Sequence, residues 1–87
     1  MALPCLSQAQ EPPAAPAQDV HRAAQLVEQG RREEAAGRAE EALGLYDEAA
    51  RVDRRSVQAL ERGARLRARL VRERTEEAEE FLGTWQT

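Results

Sequence analysis

Cysteine, histidine and aromatic residues are scarce in this chain, which has one cysteine, one histidine and three aromatic residues among its 87 residues. The lone cysteine, Cys5, excludes an intrachain disulfide. The lone histidine, His21, has no second strong metal ligand near it in the sequence, which argues against a zinc site. We therefore expect no metal and no cofactor, and a protein of a reducing compartment, the cytoplasm.

Long apolar runs are also missing, and the four prolines all fall within the first 18 residues. A membrane-spanning helix needs about 20 predominantly apolar residues, so we expect no membrane span. The N-terminus lacks the basic segment and the apolar run of a secretion signal. Bulky apolar residues are few before residue 19, so residues 1–18 are expected to form a disordered Pro/Ala-rich tail.

From residue 19 onward the chain is rich in helix-forming residues and shows no alternating run of β-branched residues. Apolar residues recur at helical spacing in three segments, and the short connection after the first segment forces the first two helices to run antiparallel. The predicted fold class is all-α: an antiparallel helical hairpin plus a long third helix. The helical domain is predicted at 19–83, with helices at about 19–36, 39–52 and 56–82 and a C-terminal tail at 84–87.

Residues that begin and end helices support these boundaries. Asp19 and Ser56 are of the types that cap helix N-termini with a side-chain oxygen. Gly37 suits the left-handed backbone position that ends a helix, and Gly83 is placed to end the third helix.

The predicted core combines small residues with one aromatic ring. Gly30 destabilises a helix interior by about 1 kcal/mol relative to alanine, which indicates close approach of a neighbouring backbone at that point. The predicted core residues are Val27, Gly30, Ala42, Leu43, Tyr46, Ala49, Leu60 and Ala64. The third helix carries a second apolar stripe, so it is expected to make contacts on two sides. That stripe is Ala59, Gly63, Leu66 and Leu70.

The stretch from Leu26 to Asp53 resembles the tetratricopeptide repeat, a helix-turn-helix unit of about 34 residues. The residues that carry the resemblance are Leu26, Gly30, Gly37, Ala42, Tyr46 and Ala49, followed by Val52 and Asp53. The likeness covers about residues 24–66, because one repeat length later Gly37 corresponds to Val71 and the turn is missing. The resemblance implies a non-catalytic adaptor or scaffold that holds a peptide or helix of a partner protein.

The same stretch is also similar to the microtubule-interacting and trafficking domain, a three-helix bundle of about this length. The shared feature is the segment EEALGLY at residues 40–46, with its acidic pair, its Ala-Leu pair and its tyrosine. This resemblance implies a trafficking adaptor, although the second helix is expected to end early, at Asp53.

Four arginines of the third helix are spaced to share one face: Arg62, Arg65, Arg69 and Arg72. Guanidinium groups bind carboxylates through two parallel hydrogen bonds, so this face predicts an acidic peptide or helix as partner. The predicted partner-binding residues are Arg62, Arg65, Leu66, Arg69, Leu70 and Arg72. The alternative is a solvated face on which the arginines pair with Glu61, Glu73 and Glu76. The net charge of −3 and the lack of an aromatic platform argue against nucleic acid.

A third possibility is self-association of the third helix as a coiled coil, which would make a homodimer. A seven-residue repeat permits it, and its members are Val57, Ala64, Val71, Ala78 and Trp85. Phe81, Leu82 and Trp85 are expected either to fold back on the helices or to form an exposed anchor for a partner. The acidic pairs at 33–34 and 40–41 are predicted to be exposed helix charges and not catalytic carboxylates, so no enzymatic activity is expected.

Overall fold

The computed structural model describes residues 14–86, with the side chains described through residue 84. Within that range the chain forms three helices and no strand: α1 (Ala17–Ala35), α2 (Ala39–Val52) and α3 (Val57–Gln86). The predicted all-α fold, a helical hairpin followed by a long third helix, is confirmed. Residues 1–13 of the predicted disordered tail lie outside the described residues, as does Thr87.

Helix α1 begins earlier than the sequence suggests. Pro16 precedes the first helical residue, and its carbonyl oxygen accepts hydrogen bonds from the backbone N–H groups of Asp19 and Val20, at 2.9 and 3.0 Å. The prediction of Asp19 as the N-cap is therefore wrong. Asp19 lies in the first turn instead, where its negative charge is stabilised by the positive end of the helix dipole.

The turn between α1 and α2 depends on Gly37, as predicted. Its φ of +83° lies in the left-handed region, where a side chain would be strained. The N–H of Gly37 donates to the Glu34 carbonyl at 3.0 Å, and the N–H of Arg38 donates to the Glu33 carbonyl at 2.9 Å. This pair of bonds is a Schellman motif, which satisfies carbonyls that the end of α1 would leave open. The Arg38 side chain also binds the Glu33 carboxylate, and this hydrogen bond lowers the pKa of Glu33.

The connection between α2 and α3 is held by two side chains. Asp53 is buried, and its Oδ1 accepts a hydrogen bond from the backbone N–H of Arg55 at 3.1 Å. The Oγ of Ser56 accepts a hydrogen bond from the backbone N–H of Ala59 at 3.3 Å, which confirms Ser56 as the N-cap of α3.

Tyr46 lies at the centre of the core. Its side chain is fully buried, and its ring packs directly on Gly30 of α1. A Cβ atom at Gly30 would lie 2.5 Å from Cε1 of that ring, so glycine is required because of a side chain and not, as predicted, because of a neighbouring backbone. The buried apolar residues are Ala23, Val27, Ala42, Tyr46, Ala49, Ala59 and Leu66. Leu43, also predicted as core, is partly buried against this cluster.

Helix α3 presents a different face to the core from the one predicted. Leu60 is 52% exposed and Ala64 is exposed, so both predictions of core positions are wrong. The second apolar stripe packs on α2 instead. Ala59, Gly63 and Leu66 are buried on this side, and a Cβ built at Gly63 would be 3.6 Å from Cβ of Tyr46, an ordinary van der Waals distance.

The second half of α3 extends past the hairpin. A helix of 30 residues is about 45 Å long, whereas the 14 residues of α2 span about 21 Å. Every residue from Val71 to Thr84 is exposed. Gly83 lies inside the helix, so the prediction that α3 ends there is wrong. None of the described helices is long and apolar enough to cross a membrane.

Candidate functional site

The structure places the four predicted arginines of α3 along a concave surface between α3 and the end of α1. A depression of about 400 Å³ lies there. Its lining residues are Glu34, Arg62, Arg65, Leu66, Ala68, Arg69 and Arg72. The predicted arginine face is therefore a groove and not a convex helix surface.

A second depression, of about 310 Å³, continues the first toward α1. It shares Glu34, Arg62 and Arg69 with the first and adds Arg31 and Ala35. We call the combined surface the basic groove and define it by Arg31, Glu34, Arg62, Arg65, Arg69 and Arg72. Five arginines and one glutamate give it a formal charge of +4.

Glu34 connects the basic groove to the buried core. The Tyr46 hydroxyl donates a hydrogen bond of 2.8 Å to Oε1 of Glu34. Burial raises the pKa of the Tyr46 hydroxyl, the carboxylate of Glu34 raises it further, and the nearby guanidinium of Arg62 acts in the opposite direction. The hydroxyl therefore stays protonated at neutral pH and holds the Glu34 carboxylate in place at the base of the groove.

Arg69 is the arginine of the groove whose charge is shared most with acidic neighbours. One of its terminal nitrogens lies 3.8 Å from Oε2 of Glu34, and its Nε lies 3.5 Å from Oε1 of Glu73. The Nε is shielded from solvent, and its contact with Glu73 lacks hydrogen-bond geometry. Arg69 thus has two ionic contacts but spare hydrogen-bonding capacity.

Arg65 and Arg72 differ from Arg69, because neither has an ion pair among the described side chains. Both are exposed on the rim of the groove. The alternative expected from the sequence, in which this face pairs with Glu61, Glu73 and Glu76, is realised within the described residues only by the contact between Arg69 and Glu73. Arg62, which is half-buried, also has no ion pair among the described side chains, so the uncompensated positive charge exposed on the rim lies at Arg65 and Arg72.

On the opposite flank of α3, two arginines are paired with acidic residues of α2. Arg67 donates to both carboxylate oxygens of Asp47, at 2.8 and 2.9 Å. Arg74 donates to Oε1 of Glu40 at 2.9 Å. Helix α2 thus supplies acidic partners to one flank of α3 and leaves the basic groove on the other flank charged.

Two of the six predicted partner-binding residues do not offer a surface in the groove. Leu66 is only 2% exposed and belongs to the core, although its edge lines the depression. Leu70 lies on the side of α3 that faces α2, where it lines a separate depression of about 310 Å³ with Leu43 and Val71. Both were predicted from their position between the arginines, but that interval of the helix turns toward α2.

Sequence reasoning missed two members of the groove, Arg31 and Glu34. Both lie on α1, far from the arginines of α3 in sequence, and Glu34 was interpreted as an exposed helix charge. A usable signal existed: Glu34 lies one helical turn after Gly30, on the side of α1 against which the Tyr46 ring packs.

The aromatic end of α3 is exposed where it is described. Phe81 and Leu82 are 62% and 58% exposed, so they do not fold back onto the hairpin. The side chain of Trp85, the third member of that predicted group, lies outside the described side chains. In the described part of the chain there is no group of three or more residues that could hold a metal ion.

No protein-family model matches the chain, and comparisons with curated proteins and with solved structures find no match. The three-helix architecture therefore rests on the structure alone.

Proposed function

We propose that this chain is a non-catalytic protein-interaction module, similar in type to the tetratricopeptide repeat, whose basic groove binds an acidic peptide or helix of a partner protein. The observation that supports this most strongly is the pair of rim arginines, Arg65 and Arg72, which lack an acidic partner in the described chain. On the other flank of the same helix, Arg67 and Arg74 are each paired.

The spacing of the rim arginines defines what the groove can hold. Arg65 and Arg72 are two helical turns apart, or about 10.5 Å along the axis of α3. Carboxylates seven residues apart on a helix have the same separation. Carboxylates three residues apart on an extended strand are about 10 Å apart, which also fits. Each guanidinium would bind a carboxylate through two charge-assisted hydrogen bonds.

Packing features support the likeness to the tetratricopeptide repeat. The Tyr46 ring lies against Gly30, Ala42 and Ala49 are fully buried, and the Gly37 turn connects the two helices closely. These are the small, large and turn positions of that repeat. Helix α3 continues past Val71 without a second turn, so the described chain holds one complete hairpin followed by one long helix.

The alternative of a microtubule-interacting and trafficking domain has less support. Helix α2 packs extensively on both of its neighbours, but α1 and α3 touch each other little. A closed three-helix bundle requires each helix to pack on the other two. The open arrangement leaves the basic groove between α1 and α3 accessible.

The proposal can be tested by titrating the full-length chain with a glutamate-rich probe peptide, with amide chemical shifts followed by NMR. We expect shifts at residues of the basic groove. The same peptide with glutamine at each glutamate position should cause few chemical-shift changes. Replacing Arg65 and Arg72 together by glutamine should weaken binding about 5- to 30-fold, since two charged hydrogen-bonding contacts are lost.

A matched control removes the same charge elsewhere. Arg51 and Arg54 are exposed arginines outside the groove, and their joint replacement by glutamine should leave peptide affinity nearly unchanged. Equal weakening by both double variants would mean that only net charge matters and would contradict a specific groove. Tighter binding of a short RNA than of the acidic peptide would assign the groove to a different class of partner.

A further inference from the structure

An apolar stripe on α3 lies on neither the core-facing side nor the side of the basic groove. We call it the outer stripe and define it as Leu60, Ala64, Val71, Ala78 and Leu82. Leu60, Val71 and Leu82 are 52%, 59% and 58% exposed, and the two alanines are also exposed. Helical geometry places all five within one narrow sector, about 120° around the axis from the face that packs on α2.

The order of residue types in the outer stripe is the same in both directions along α3. Leu60 and Leu82 are equally far from Val71 along the helix, and so are Ala64 and Ala78. The order of residue types, Leu, Ala, Val, Ala, Leu, is therefore symmetric about Val71. When two copies of such a helix lie antiparallel and cross at Val71, Leu60 of each faces Leu82 of the other, and Ala64 faces Ala78.

The charges of α3 favour the same arrangement. Residues 57–74 contain six arginines and two glutamates, whereas residues 75–84 contain four glutamates and no arginine. In a parallel pair, like charges would lie side by side along the whole helix. In the antiparallel pair centred on Val71, the acidic segment 76–80 of each copy lies alongside residues 62–66 of the other, a segment of net positive charge; these charges lie outside the apolar contact and act at longer range.

From these observations we infer that the outer stripe is a docking surface for a second copy of this chain, paired antiparallel with Val71 on the two-fold axis. The same patch on both copies then forms one self-complementary interface, as closed two-fold symmetry requires. This contact is independent of peptide binding, because the basic groove faces a different side of α3.

The surroundings of Val71 fit this contact. Val71 borders the depression lined by Leu43 and Leu70, so apolar surface of α2 continues the outer stripe at its centre. Arg67 and Arg74 come near the corresponding residues of the other copy across the axis. Their charges are already balanced within each copy by Asp47 and Glu40, which limits the repulsion.

Sedimentation equilibrium of the full-length chain, in a reducing buffer over a wide concentration range, tests the association. We expect a reversible monomer–dimer equilibrium. Val71→Gln should raise the dissociation constant by about tenfold or more, because it places two polar side chains at the axis. Val71 is exposed in the single copy, so circular dichroism should show an unchanged fold.

The matched control is Val20→Gln, which makes the same change at a half-exposed valine of α1, outside the stripe. It should leave the dissociation constant unchanged. A monomer at every concentration would overturn the inference, and so would a dimer that tolerates Val71→Gln as well as Val20→Gln.

Disulfide trapping tests the orientation. Two versions of the chain, both carrying Cys5→Ser, would carry Leu60→Cys and Leu82→Cys respectively. Oxidising their mixture should link the two versions to each other. If the products are instead mainly the two homodimers, the helices run parallel and the antiparallel register is wrong.

Discussion

The hairpin and the second half of α3 are built from similar helix-forming residues, yet they are stabilised in different ways. In the hairpin, Tyr46 is fully buried against Gly30 and its hydroxyl is bound by Glu34. In the second half of α3, every residue from Val71 to Thr84 is exposed within the single copy. Tertiary packing therefore stabilises the hairpin, whereas in a single copy the end of α3 relies on helix propensity.

The largest loss of stability is expected from Tyr46→Ala, which removes the packing that distinguishes the hairpin from the end of α3. Removing a fully buried aromatic side chain typically destabilises by about 3–5 kcal/mol, which is comparable with the whole stability of a domain of this size. Thermal unfolding followed by circular dichroism should show loss of the cooperative transition. The control is Leu82→Ala, a truncation in the exposed region.

Leu82→Ala should change the free energy of unfolding by no more than about 0.5 kcal/mol when measured on the dilute monomer, because Leu82 is 58% exposed. If it destabilises the monomer as much as Tyr46→Ala does, the contrast between the two regions is wrong.

Gly30→Ala should destabilise the chain less than Tyr46→Ala does. The added Cβ would lie 2.5 Å from the Tyr46 ring, so the ring or the helix must move. We expect destabilisation of about 1–3 kcal/mol, in spite of the higher helix propensity of alanine. Urea denaturation would measure it, with Gly44→Ala as the matched control.

Gly44 lies in the interior of α2, and a Cβ there would meet no heavy atom within 4 Å. Gly44→Ala should therefore stabilise the chain by up to about 1 kcal/mol through helix propensity alone. If Gly30→Ala and Gly44→Ala change the free energy of unfolding equally, the contact between Gly30 and the Tyr46 ring is loose.

The sequence predicts features that depend on neighbouring residues of the chain better than features that depend on contacts between helices. Gly37 and Ser56 were predicted from local backbone chemistry, and both are confirmed. Leu60 and Ala64 were placed in the core wrongly, because α3 carries two apolar stripes and periodicity cannot choose between them. The structure buries the stripe that contains Ala59 and Leu66.

The candidate site was predictable only in part for the same reason. The spacing of the four arginines correctly places them on one flank of α3. Which arginines are neutralised depends on Asp47 and Glu40 of α2, and the position of Glu34 depends on the Tyr46 hydroxyl. Such contacts join separate helices and leave no pattern along the sequence.

A smaller loss of stability than for Tyr46→Ala is expected from Tyr46→Phe, which removes only the hydrogen bond to Glu34. It should destabilise the hairpin by about 1 kcal/mol. The raised pKa of Tyr46 adds a pH signature. Folding favours the protonated hydroxyl, so its contribution is fully present below the unfolded pKa of about 10 and is lost as pH rises through the folded value.

The unfolding free energy of the wild type should therefore fall at alkaline pH more steeply than that of Tyr46→Phe. Denaturation at neutral and alkaline pH measures this difference. Parallel pH profiles would show that the Tyr46 hydroxyl is not held in the core.

Amide hydrogen exchange on the full-length chain, read by mass spectrometry at low and at high protein concentration, tests the contrast between hairpin and projecting helix most directly. We expect slow exchange in the hairpin at both concentrations. In residues 72–84 we expect fast exchange in the dilute sample and protection that increases with concentration as the second copy docks. Strong protection of residues 72–84 in the dilute monomer, or exchange there that does not respond to concentration, would contradict this expectation.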